Sequence, residues 1–137
     1  MKKADIKIFA DSRYILYVNG KRIGRGPCRS DPRWQYYDTY DIAEHLVKGE
    51  NVLSAEVLYY GYGTGHSICR VPALVAQSSI LLNSGESITI VTDRSWETCL
   101  SDALDRNAPR VNGCKACVEI WDKRKEFDFD PLRCDDL

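Results

Sequence analysis

Apolar and polar side chains alternate along Arg13-Tyr-Ile-Leu-Tyr-Val18, and the run stops at Asn19-Gly20. That dipeptide accepts the positive φ angles demanded at both centres of a two-residue type I′ turn. Lys21-Arg-Ile-Gly24 must then fold straight back, so a β-hairpin is the first fixed point of the chain. The same period of two recurs at 4–9, 34–40, 52–60, 73–82, 87–93, 95–100 and 117–123. Short strands at this spacing predict an all-β sandwich or barrel. Between the runs at 4–9 and 13–18 there is no turn residue beyond Asp11, so the two are expected to form one bent strand.

Only one segment reads as helical. Asp41-Ile-Ala-Glu44 has the spacing of a capping box, in which each acidic side chain satisfies an orphan backbone N–H. A short capped turn should follow and end by Gly49, which suits a left-handed closing residue. Asn83-Ser-Gly-Glu86 reads as a second hairpin turn. The longest Gly-rich connection runs from Gly61 through His66 to Pro72, and loops of that kind are where function concentrates. Residues 101–113 read as irregular, and 124–137 as an extended C-terminal tail pinned by Phe127 and Phe129. At 137 residues the whole of 1–137 is expected to make a single domain with one core.

The balance of 19 basic and 20 acidic residues gives a net charge of −1 and no clustered cationic surface. Nucleic acid and anionic membrane are therefore not expected partners. No apolar run approaches the roughly 18 residues that a membrane span needs. Charges also interrupt the first eighteen residues where a secretory leader requires an unbroken apolar stretch. If Met1 is the native start, a cytoplasmic protein is expected. The six cysteines fall mostly inside apparent strands, and the reading is that they are mainly reduced.

Several motifs occur in a fixed order. An aromatic strand ends in Asn19-Gly20 and is followed by Gly24-Arg-Gly-Pro27, by Trp34 and Tyr37 ahead of Asp38, by Tyr40-Asp41, and by Gly49-Glu-Asn-Val52. Tyr60-Gly-Tyr-Gly63, Thr92-Asp-Arg-Ser-Trp96 and Glu119-Ile-Trp-Asp122 come after them. This series resembles the accessory β-sandwich that precedes the catalytic domain in bacterial α-L-rhamnosidases and related glycoside hydrolases, closely over about residues 4–100 and loosely over 114–123. The resemblance implies an antiparallel jelly-roll β-sandwich similar to galactose-binding domains. It also implies that hydrolysis belongs to a separate α/α barrel. The family has one or two strands ahead of the point where this chain starts, and without them a sheet edge is left that could pair with another chain.

Trp34, Tyr37, Asp38, Tyr62 and His66 are the candidate carbohydrate-binding residues. Aromatic faces stack on the C–H surface of a sugar, and a carboxylate accepts its hydroxyl hydrogens. In an extended strand Trp34, Tyr36, Asp38 and Tyr40 share one face and Tyr37 takes the other. If the Asp38 face is interior, that carboxylate must be paired, with Arg25 or Arg29 as the expected partner. A calcium ion at Asp38, with Asp31 or Asp41, is a further possibility, since Ca²⁺ takes several oxygen ligands; no other cofactor is implied. Cys114-Lys-Ala-Cys117 lacks a second ligand pair for zinc and a helix for thioredoxin-type chemistry, and is read as two cysteines beside a turn at Gly113.

The expected function is a non-catalytic module that weakly binds a rhamnose-type glycan or braces a glycoside hydrolase catalytic domain. The alternatives are a structural piece that self-associates through an open sheet edge, and an intracellular cysteine-based metal-binding protein.

Overall fold

In the computed structural model, residues 1–65 and 67–125 are described. Seven strands form two antiparallel sheets that face each other across the core: β1 (Lys3–Asp11), β2 (Arg13–Val18), β3 (Lys21–Gly26), β4 (Asp38–Asp41), β5 (Leu53–Leu58), β6 (Ala73–Leu81) and β7 (Ser87–Val91). One sheet has the order β4-β1-β6-β7 and the other β3-β2-β5. Among the described residues no helix is long and apolar enough to cross a membrane.

The alternation in the sequence becomes the two faces of each sheet. Along β1, Ala4, Ile6, Ile8 and Ala10 are buried while Lys7 is exposed. Along β2, Tyr14, Leu16 and Val18 meet them from the other sheet. Burying an aliphatic side chain of this size stabilises the fold by about 1.5–3 kcal/mol. β1 and β6, nine residues each, are the two central strands of their sheet and pair along their whole length from Lys3↔Leu81 to Asp11↔Ala73. The chain leaves that sheet at Ser12 and enters the other as β2, so the two runs expected to be one bent strand are a single path with a corner.

Asn19 and Gly20 carry φ angles of 50° and 74°, as the type I′ turn requires. Asn19 does more than turn the chain. Its Oδ1 accepts from Val52 N at 2.9 Å, and its Nδ2 donates to His45 O at 2.8 Å and to Asn51 Oδ1 at 2.9 Å. Asn51 in turn accepts from Val47 N and donates to the carbonyls of Val47 and Gly49. The distant motifs Asn19-Gly20 and Gly49-Glu-Asn-Val52 are therefore two halves of one hydrogen-bonded corner.

The helical segment is smaller than its sequence suggests. Only Ala43–His45 turns, as a 3₁₀ helix, and Leu46 is already extended. Asp41 is the last residue of β4, paired opposite Asp5, and its Oδ1 accepts from Ala43 N at 3.0 Å. The reciprocal capping box does not form because Asp41 is held in the sheet. Gly49, at φ 102°, shapes the Asn51-centred turn instead of closing a helix.

Three expected strands are corrected. Residues 34–37 lie outside β4, because Asp31 and Trp34 bridge each other in a tight turn before the strand begins. The run at 95–100 is not a strand: Asp93 Oδ1 accepts from Ser95 N and Oγ, and Trp96 Nε1 donates back to Val91 O, which folds the chain over the sheet end. Around 117–123 only the isolated bridges Arg110↔Cys117 and Leu104↔Trp121 form. The expected turn at 83–86 does connect β6 and β7, with Gly85 at φ 91°.

None of the five described cysteines lies in a strand, contrary to expectation. All are free, with Cys28, Cys69, Cys99 and Cys114 exposed and Cys117 half-buried. The expected tail with Phe127 and Phe129, and Cys134, fall outside the described residues.

Candidate functional site

The four described residues singled out from the sequence, Trp34, Tyr37, Asp38 and Tyr62, do not converge. Asp38 sits on β4 opposite Ile8, so it faces the interior, where an uncompensated carboxylate is costly. Its partner is neither Arg25 nor Arg29. The Tyr14 hydroxyl donates to Asp38 Oδ2 at 2.5 Å and lies 3.1 Å from the Tyr40 hydroxyl. The Tyr40 hydroxyl donates to Arg25 O at 3.2 Å. Burial first, and then the Asp38 carboxylate, raise the ionisation of Tyr14 far above the usual phenol range.

This polar knot explains Gly24-Arg-Gly-Pro27. A Cβ on Gly24 would run into the Tyr40 ring, and one on Gly26 into Asp38 Oδ2 and the Tyr14 hydroxyl, both well inside van der Waals contact. The glycines let β3 close on β4 across the two sheets. Asp38 is thus a clamp between the sheets, with its Oδ2 engaged by Tyr14.

Tyr62 is also committed. The Arg110 guanidinium lies over its ring at 4.1 Å from the centroid. Arg110 Nη2 donates to the carbonyls of Gly63 at 3.1 Å and Gly113 at 2.9 Å, tying the Gly-rich loop to the 109–117 segment. The Tyr62 hydroxyl is buried without a hydrogen-bond partner. Desolvation, and then the neighbouring Cys117 thiol, raise its ionisation above the phenol's ordinary value. His66 falls outside the described residues.

Trp34 and Tyr37 are presented to solvent, at 77% and 58% exposure, and Tyr36 joins them at 63%. Tyr36, expected on the inner face, escapes it because 34–37 is not strand. The Tyr36 and Tyr37 rings, but not Trp34, border an open groove of about 390 Å³ on the outer face of the four-stranded sheet, lined by Lys7, Phe9, Val75 and Gln77 together with Gln35, Tyr36 and Tyr37. Lys7 Nζ stands 5.6 Å from the centre of the Tyr37 ring. Phe9 and Val75 are register partners on β1 and β6, and Val91 on β7 pairs with Gln77 beside them. An apolar stripe therefore crosses three strands of a face that ought to be polar if it met only water.

Gln35, Tyr36, Lys7, Phe9, Val75 and Gln77 were missed as site residues. The signal was present in β1 and β6, where Phe9 and Val75 interrupt the polar half of the alternation. Among the described residues no three His, Cys, Asp or Glu side chains gather as a metal site would require.

The comparisons agree with this architecture. The family model for the α-L-rhamnosidase N-terminal domain matches residues 1–136. Among solved structures, a GH78 family rhamnosidase of Bacillus sp. GL1 is 35% identical with a TM-score of 0.79, covering 89% of this chain. The α-L-rhamnosidase from Dictyoglumus thermophilum is 26% identical with a TM-score of 0.75 over 93% of this chain. The chain spans 12% and 14% of those two structures. A Streptomyces avermitilis α-L-rhamnosidase complexed with L-rhamnose, 22% identical with a TM-score of 0.54, shares the fold over 70% of this chain. No curated protein matches. With a family model spanning 1–136, the chain belongs to the α-L-rhamnosidase N-terminal domain family.

Proposed function

We propose that this chain acts without catalysis, bracing the catalytic part of a rhamnosidase through the outer face of its four-stranded sheet. One observation carries the reading: Tyr36, Tyr37, Val75 and Val91 are all exposed, and they cluster on or beside one sheet face. Aromatic residues grouped with aliphatic ones are the composition of an interface core, and isolated modules rarely leave such a face to water. The two rhamnosidase structures of which this chain spans 12% and 14% supply a large partner of the right kind. Against glycan binding as the main role, Asp38 and Tyr62, two of the polar groups expected to read a sugar, are already engaged inside the fold.

The test adds the chain in trans to a rhamnosidase of the family from which the N-terminal domain has been removed. Binding to the folded state raises the melting temperature of the truncated enzyme. An unchanged melting temperature at saturating chain would remove the bracing reading. The chain alone is expected to leave an aryl rhamnoside uncleaved.

A further inference from the structure

A three-stranded sheet faces a four-stranded one, and the mismatch falls on one side. β4 packs across from β3, and β1 lies over both β2 and β5, so β6 and β7 reach past β5. Two inward side chains are left open at that step. Val57 is the register partner of Tyr14 and Ile88 that of Ile80, which puts both on inner faces, yet they are 39% and 41% exposed.

The backbone of β5 is open on the same side. Asn19 N donates to Val52 O at 2.9 Å and Ser12 N to Leu58 O at 3.1 Å, so the even-numbered residues of β5 turn their backbone groups to β2. Those of Leu53, Ala55 and Val57 alternate to the free edge, where among the described residues no strand meets them. The other three edges carry the protections that sheet edges usually have. β3 bears Lys21, Arg22 and Arg25, and its pairing with β2 shifts register between Leu16 and Tyr17. β4 has only four residues. On β7 the Val91 carbonyl is taken by the Trp96 indole. β5 keeps a regular register, has no Pro or Gly, and bears one charge, Glu56, which among the described residues forms no ion pair.

The smaller sheet is one strand short, and one strand fills about 4.8 Å beside its neighbour. A second copy joined edge to edge would bring its own overhanging β6 and β7 into the same layer. A lone extended segment would not. Its chemistry follows from what it meets: apolar side chains at alternate positions toward Val57 and Ile88, and Lys or Arg on the outer face beside Glu56.

We propose that β5 receives an extended strand of that kind from the part of a rhamnosidase outside this domain, making the sandwich four strands on four. The source of the strand rests on the bracing reading; the open edge does not.

Amide hydrogen exchange tests this, read residue by residue on the chain alone and on the chain saturated with a family rhamnosidase lacking its N-terminal domain. In the free chain Ala55 and Val57 should exchange fast, while Ser54 and Glu56, bonded to β2, exchange slowly. In the complex Ala55 and Val57 should slow more than about tenfold, the mark of new backbone hydrogen bonds. Val57→Lys puts an ammonium into the inter-sheet step and should weaken association more than about tenfold. Glu56→Lys should weaken it about threefold, the scale of an exposed charge pair. If either variant loses the protection of the β1–β6 ladder, the amides of the unaltered chain carry the test. Strand addition is ruled out, and the bracing reading stands, if a complex forms while Ala55 and Val57 stay fast. It is equally ruled out if those two amides are already slow in the free monomer, or if they slow only as the free chain dimerises. Absence of any complex overturns both readings.

Discussion

The Tyr14 hydroxyl and Asp38 Oδ2, 2.5 Å apart, join the two sheets, β2 in one to β4 in the other. A part-buried polar bridge of this kind contributes little net energy when intact but costs its full desolvation when half is removed. Tyr14→Phe is therefore expected to lower unfolding free energy by about 1–3 kcal/mol. In a double-mutant cycle with Asp38→Asn, urea denaturation should give a coupling of about 0.5–3 kcal/mol. Additivity of the two substitutions would show that the bridge is incidental.

The same bridge makes stability sensitive to alkali. Tyr14 keeps its proton more tightly when folded, so below the unfolded phenol pKa of about 10 its contribution is fully present. As pH rises above about 10 the unfolded chain loses that proton and the folded one does not, so stability falls. Denaturation midpoints measured between pH 8 and pH 11 should decline less in Tyr14→Phe than in the unaltered chain. Equal declines would place the alkaline loss elsewhere.

Gly24→Ala and Gly26→Ala should each destabilise by about 1–3 kcal/mol, the usual scale of overpacking. Gly113 has nothing within 4 Å of an added Cβ and no positive φ, so Gly113→Ala is its control and should stay within about 0.5 kcal/mol. Thermal melts of the three variants decide the point.

Arg110→Ala removes the group that stacks on Tyr62 and holds two loop carbonyls. Amide exchange at Thr64 and Gly65 should accelerate, while the β1–β6 ladder keeps its protection, because the loops lie outside the core. Unchanged exchange at those loop amides would mean the stack does not hold the loop.

Local chemistry was legible in the sequence, and long-range partnership was not. Asn19-Gly20 announced its hairpin because the required φ angles belong to those two residues alone. The alternation of β1 and β2 gave the core for the same reason. The hydroxyl that satisfies Asp38, however, comes from a tyrosine 24 residues earlier, and nothing near Asp38 points to it. Alternation at 95–100 and 117–123 failed as a guide because a strand also needs a neighbour to pair with, and Asp93 turns the chain aside before one is reached. Phe9 and Val75 were visible as breaks in the polar half of two strands, but only the register shows them side by side.

The outer face of the four-stranded sheet is the proposed docking surface. Isothermal titration of the chain into a family rhamnosidase lacking its N-terminal domain measures this, run beside the double variant Tyr36→Ala, Tyr37→Ala. A one-to-one complex is expected, which the double variant weakens more than about tenfold, as loss of exposed aromatic anchors does. No heat of association, or equal affinity for the variant, would contradict it.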